Sequence, residues 1–217
     1  MDQDETRLFN IQLYSKLWES KIPKESDRRK TRRVLKMSKL FLSADYHFGH
    51  ENIIKYCKRP FKDVTHMTKR LVTAHNQRVK PEDTFIHVGD FCFRNSPGGK
   101  KGEGETTVSE EYLAQLNGRI VLIKGNHDKN NKCKAYIDGC EITWQGQKLW
   151  ICHDPAERNT AYRINLVGHV HEAWKFKRIG GVDCINVGCD VWNYMPVTLE
   201  EVMRAYDKWV KLGRPTR

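Results

Sequence analysis

The sequence predicts an α/β fold, and three observations carry that prediction. Short continuous apolar runs recur from residue 39 onward. Segments with helical spacing lie between several of them, and each run ends in one or two polar residues. Apolar runs too short to be helices read as strands buried on both faces. Their alternation with helices defines the class.

In chain order the runs are Leu40 to Asp45, Phe85 to Asp90, Ile120 to Asn126, Leu149 to His153 and Ile164 to His169. A helix is expected at about 65–79, where Met67, Leu71, His75 and Val79 recur at helical spacing. A second, at about 109–116, has Ser109 to cap it and Asn117-Gly118 to stop it. A last helix, about 199–212, opens with Thr198 and Glu201 at capping-box spacing. The stretch from Arg94 to Val108 breaks the rhythm with Gly98, Gly99, Gly102 and Gly104. A long aperiodic segment of this kind is either a loop over the site or a surface insertion.

The chain has 217 residues, enough for one domain with an appendage. Residues 1–38 form a basic N-terminal extension, with ten Lys and Arg against six Asp and Glu, including the run Arg28 to Arg33. Leu8, Ile11, Leu13, Leu17 and Trp18 could make a short amphipathic helix within it. Residues 39–217 form the folded domain. The formal net charge of +11 points to an anionic partner without naming it. No apolar run approaches the ~20 residues of a membrane helix. The acidic start MDQDETRLFN is unlike a signal peptide. Seven Cys without a C-x-x-C pair argue for free thiols rather than a disulfide framework. A cytoplasmic protein without membrane contact is therefore expected.

The strand ends carry the chemistry. Asp45 and His47 lie two apart, and His169 and His171 repeat the spacing. An extended backbone would place each pair on one side. Asp90, Asn126 and His169 each follow a Gly, which lets the chain turn sharply or approach an ion closely. Ligands at the carboxyl ends of strands sit where α/β sheets bind things. Asp45, His47, Asp90, Asn126, His153, His169 and His171 are too many donors for one tetrahedral ion with an open position. Two divalent cations bridged by Asp90 fit better. Imidazole, carboxylate and amide donors without thiolate suit Mn²⁺, Fe, Zn²⁺ or Ni²⁺ better than Ca²⁺ or a copper thiolate site, and Mn²⁺ is the metal expected.

Asp45-x-His47, Gly89-Asp90, Gly125-Asn126-His127-Asp128, His153 and Gly168-His169-x-His171 together resemble the five-motif signature of the calcineurin-like metallophosphoesterases. The segment from Ile185 to Val202 is similar to the C-terminus of small prokaryotic and phage members. The resemblance implies a sandwich of two mixed β-sheets flanked by helices. It implies one metal on Asp45, His47, Asp90 and His171, and another on Asp90, Asn126, His153 and His169. It makes His127 the catalytic histidine, with Asp128 holding its ring in the right tautomer.

The activity implied is dinuclear metal-dependent hydrolysis of phosphoesters, phosphodiesters above all, with a metal-bridging hydroxide as nucleophile and His127 as general acid. A nucleotide or nucleic acid would be the substrate partner. The alternatives are a nuclease on DNA or RNA, and a non-catalytic binding scaffold with a structural metal site. The family includes scaffolds that lost their ligands, and this chain keeps its own.

Other residues have plainer readings. His66, His75 and His87 are ordinary helix and strand histidines, and Cys92 and Cys152 are core thiols. His50 either reaches the substrate phosphate or packs. Arg59, Arg94, Arg158, Asn159 and Lys175 are mostly solvated, outside the site.

Overall fold

Of the apolar runs expected to be buried on both faces, residues 41–45, 85–90 and 164–168 are buried without a break, whereas 120–122 are only half-buried. The computed structural model describes residues 38–93, 104–128 and 133–215. The chain divides into two units, Met1–Met37 and Ser38–Arg217, and the described residues belong to the second. The expected basic extension, its amphipathic helix, Arg94 and most of the Arg94–Val108 segment lie outside the described residues.

The first sheet contains β1 (Leu40–Ser43), β2 (Thr84–Val88) and β3 (Arg119–Ile123), all mutually parallel, with Leu40 opposite Thr84 and Thr84 opposite Arg119. The second contains β4 (Gly139–Trp144), β5 (Gln147–Cys152), β6 (Ile164–Val167), β7 (Phe176–Ile179) and β8 (Val182–Asn186) in the order β4-β5-β6-β8-β7. A two-residue strand β9 (Val197–Thr198) pairs antiparallel with β1 and closes the first sheet in the order β3-β2-β1-β9. Both sheets are mixed: β5, β6 and β8 run parallel while β4 and β7 run antiparallel at the edges. A parallel bridge between Ala44 and Gly188 joins the sheets just beyond β1 and β8.

Alternation along β1 assigns its two faces. Leu42 joins Ile86, Val88 and Ile123 against Leu149, Ile151, Leu166 and Ile185 of the second sheet. This is the layer between the sheets. Phe41 and Phe85 point the other way, into a cluster with Tyr46, Phe48, Met67, Leu71 and Phe91. Burying each such side chain contributes about 1.5–3 kcal/mol, so the two layers dominate the fold's stability.

Among the described residues, four helices flank these layers: α1 (Glu51–Tyr56), α2 (Val64–Arg78), α3 (Ser109–Leu113) and α4 (Leu199–Lys211). In α2, Asp63 caps by accepting from the His66 amide at 2.7 Å, and Met67, Leu71 and His75 form the buried stripe. In α4 the capping box forms as expected, with Thr198 and Glu201 accepting reciprocally, and Val202, Met203, Tyr206 and Trp209 turn inward. Ser109 does not cap α3. Val108 takes the cap position without a side-chain bond, and the Ser109 hydroxyl donates to Glu110 instead. His75 bonds the Asn117 carbonyl at 2.8 Å, and His87 packs between Tyr46 and Phe91. Both fill ordinary structural places. All seven cysteines are free. No helix among the described residues is long and apolar enough to cross a membrane.

Candidate metal centre

Six parallel strands end at the same edge of the molecule, and the candidate ligands lie just past their ends. Asp45 and His47 follow β1, Asp90 follows β2, Asn126 follows β3, His153 follows β5, and His169 and His171 follow β6. The end of β8 supplies Asp190, which the sequence reading missed.

The backbone there is not extended, which corrects the reason given for the shared facing of each pair. Asp45, His47, Asp90, His169 and His171 all have left-handed φ, between 45° and 70°. For residues with a Cβ this region is unusual, although Asp and His tolerate it better than most. Tertiary hydrogen bonds impose it: Asp45 N–H donates to Gly89 O, and His47 N–H to Asp90 O, both at 3.0 Å. The His169 amide donates to both Asp45 carboxylate oxygens, at 3.0 and 3.1 Å.

Two glycines leave room for this convergence. Gly89 has φ +82°, and a Cβ there would collide with the His153 ring. At Gly125 a Cβ would strike the Asp90 amide nitrogen and carboxylate.

Asp90 lies between two imidazoles. Its Oδ2 is 3.5 Å from His47 Nε2 and 3.3 Å from His153 Nε2, and its Oδ1 accepts from the His127 amide at 2.9 Å. The Asn126 carbonyl oxygen is 3.1 Å from His153 Nε2 and 3.0 Å from His169 Nδ1. Donor atoms of the expected ligands thus gather in two groups, Asp45–His47–His171 and Asp90–His153–His169, each within 4.8 Å, and a third group, Cys57–His171–Asp190, shares His171 with the first. The first two contain six of the seven ligands expected from sequence, and Asn126 touches the second group.

The residues fit a cation on an independent ground. Neither ring nitrogen of the buried His47 has a hydrogen-bond partner among the described residues. Buried polar atoms are almost always satisfied, so an unpartnered imidazole aimed at carboxylates is suited to a metal. The electrostatics agree. Burial raises the Asp90 carboxyl, but His153 and His47 outweigh it and hold the group well below the carboxylate range. Burial pushes Asp45 up and His47 well down. Burial also opposes charge on His153, yet the neighbouring Asp90 and Asp45 bring it up to about 9.

His127 has a half-exposed side chain, with Nε2 3.9 Å from Asp90 Oδ2 and its ring 5.5 Å from that of His47. It is the histidine that faces both the ligands and solvent. Asp128 is fully buried and accepts from the Asp90, Phe91 and Gly125 amides at 3.0, 2.9 and 2.7 Å. Those bonds tie the Gly89 and Gly125 turns together. The contacts of Asp128 are thus with backbone amides and not with the His127 ring it was expected to hold, so among the described residues it fixes the loop on which His127 stands.

His50 stacks on Phe93 at 4.2 Å, with its ring 5.4 Å from His47 and its Nδ1 buried without a hydrogen-bond partner. Burial brings it down to about 4, so it is neutral near pH 7. Arg59 corrects the expectation of a solvated side chain. It is 4% exposed and contacts Asp190 and the Asp45 carbonyl. Lys175 lies 3.4 Å over the Trp192 ring, and Arg158 donates to Ile179 and Pro155 carbonyls. A pocket of about 490 Å³ between Phe61, Arg70 and Tyr194 contains none of the ligands.

Residues 62–198 match the calcineurin-like phosphoesterase superfamily domain. The chain belongs to that superfamily. An uncharacterized protein of Methanocaldococcus jannaschii is 32% identical over 182 residues, covering 80% of this chain and 94% of its own length. The crystal structure of a protein of unknown function from Aquifex aeolicus is similar at 26% identity and a TM-score of 0.57. It covers 78% of this chain and all of the other. The phosphoesterase match begins beyond Asp45 and His47, yet these residues share a donor group with His171, which lies inside it.

Proposed function

We propose that the protein is a dinuclear metal-dependent phosphoesterase that prefers phosphodiesters, with Mn²⁺ as its working metal. The supporting observation is the Asp90 carboxylate, 3.5 Å from His47 on one side and 3.3 Å from His153 on the other. One carboxylate facing both donor groups is the arrangement two cations need if they are to share a ligand. When bound, such a pair supplies Lewis acidity and a hydroxide near neutral pH for in-line displacement at phosphorus.

The chain's own residues complete the reaction. His127 projects its half-exposed ring beside Asp90 and gives the leaving oxygen its proton. An acid matters most for the poor leaving group of a diester, the alkoxide, which supports the diester preference. Asp128 keeps the His127 loop in place through its three backbone bonds. Asp190 and Asn186 hold His171, through its ring nitrogen at 3.1 Å and its carbonyl at 2.7 Å. The net charge of +11 favours an anionic ester such as a nucleotide or nucleic acid.

The test uses chelator-stripped protein on an aryl phosphodiester and the matching monoester. Diester turnover that returns with Mn²⁺ and falls about 10²–10⁴-fold in His127→Ala supports the reading. Turnover of neither ester with two ions bound would overturn it in favour of a scaffold.

A further inference from the structure

We propose that Arg59 and Asp190 are positioning residues that make the Asp45–His47–His171 group the tighter of the two cation sites, so that it fills first. The inference rests on the two-cation reading above and adds an order of binding to it.

The observation is a buried ion pair with a metal ligand at each end. Arg59 Nε donates to Asp190 Oδ1 and Nη2 to Oδ2, both at 2.8 Å, the two-pronged geometry of a strong pair. The side chains are 0% and 1% exposed. Beyond the pair, Arg59 Nη2 donates to the Asp45 carbonyl at 2.7 Å and Nη1 to the Tyr46 carbonyl at 3.0 Å. On its other side Asp190 Oδ2 meets His171 Nδ1 at 3.1 Å. One guanidinium and one carboxylate thereby clamp the left-handed turn of Asp45 and the ring of His171. These ligands belong to the same donor group but lie more than 120 residues apart in sequence.

Stability alone does not account for such a pair, because desolvating two charges costs about as much as their attraction returns. Ligand orientation does. A carboxylate behind a histidine fixes its ring and raises its basicity as a ligand. The second group has the buried Asp128 behind its backbone, but among the described residues no buried carboxylate from outside the group backs one of its imidazoles. His153 is backed by the neutral Val88 carbonyl at 2.8 Å. Beside His169, the carboxylate outside the donor groups among the described residues is the part-exposed Asp154, at 3.9 Å. Cys57 approaches His171 and Asp190 closely enough to form a third donor group, but Asp190 is already engaged by Arg59. Asp190 therefore acts behind His171 rather than as a ligand itself.

The experiment titrates the full-length, metal-stripped protein with Mn²⁺ by calorimetry and with Co²⁺ by visible absorption. Wild type should show two steps. Asp190→Asn keeps the volume and removes the charge, and should weaken the tighter step about 10–100-fold while the weaker step stays put. Its Co²⁺ spectrum should change in the first step. Arg59→Lys, which keeps the charge but loses the fork, should move the same step less, and it decides the matter if Asp190→Asn does not fold. A folded variant with an unmoved tight step, or with both steps weakened alike, overturns the inference while leaving the two-cation reading intact. Wild type that binds one ion or none overturns that reading and this inference with it.

Discussion

At the carboxyl ends of the parallel strands, left-handed φ falls on Asp45, His47, Asp90, His169 and His171. At the amino ends of β5 and β8, hairpin turns place the same conformation on Gln145-Gly146 and Gly180-Gly181. A Cβ at Gly146 or Gly181 would meet nothing within 4 Å, whereas one at Gly89 or Gly125 would strike His153 or Asp90. The carboxylates differ too. Asp183, at the amino end of β8, is held by Arg178, Arg214 and Tyr206 at 2.7–3.3 Å. Asp90 faces imidazoles that are suited to a cation. One end of the molecule thus uses open glycine-containing turns and a fully paired Asp183, and the other concentrates left-handed residues and unsatisfied donors where candidate ligands converge. Backbone strain of this kind persists only where the surroundings over-determine it.

Substitutions can break this contrast, and the largest effect is expected at Gly125. Gly125→Ala forces the Asp90 carboxylate aside. A displacement of about 1 Å costs about 10²-fold in turnover, so a loss at least that large is expected. Parallel assays of hydrolysis and metal content check it, and normal values for both would show that the loop is not tightly fitted. A sharper comparison is available at His169, where φ is 70°. Both His169→Ala and His169→Gly remove the donor, but only the glycine relieves the backbone. His169→Gly should be more stable than His169→Ala by about 1 kcal/mol in urea with chelator present. Equal stabilities would mean that the site end stores no strain.

At the other end, Gly146→Ala should cost about 1 kcal/mol, from its φ of +82° alone, and leave turnover and metal binding untouched. A change in either activity would couple the two ends. The smallest effect is confined to acid. Burial raises the Asp183 carboxyl, but Tyr206, Arg214 and Arg178 outweigh it and hold the group below its ordinary value. Its stabilisation is therefore present above the unfolded value of about 3.9 and lost as pH falls through the lower folded value. Asp183→Asn should flatten that part of the stability–pH curve. An unchanged acid slope would contradict the assignment.

Much of this was legible in the sequence for local reasons. Continuous apolar runs mark β1, β2, β3, β5 and β6, and the Thr198–Glu201 box marks the start of α4, because these signals are complete within a few residues. The candidate ligands could be picked out because their types and order are themselves the signal, and the structure brings six of them into two groups. The conformation that presents them could not. Asp45 and His47 were expected to be extended, but their φ is set by bonds to Gly89 and Asp90, more than 40 residues away. The same holds for Arg59, whose partner Asp190 lies 131 residues distant, so that no local pattern separates it from a solvated arginine. Ser109 misled in the opposite way. It has the right chemistry for a cap, but the cap position falls one residue earlier, on Val108, and Ser109 is already the first helical residue.

The Asp45 carboxylate accepts the His169 amide across 124 residues of chain. Contacts of such separation form late, after nearer pairings have paid for loop closure. During synthesis, β1 leaves the ribosome long before β6 and the ligands that follow it. The centre is therefore a product of folding rather than its seed, and a chain cut short before His169 completes neither of the two donor groups.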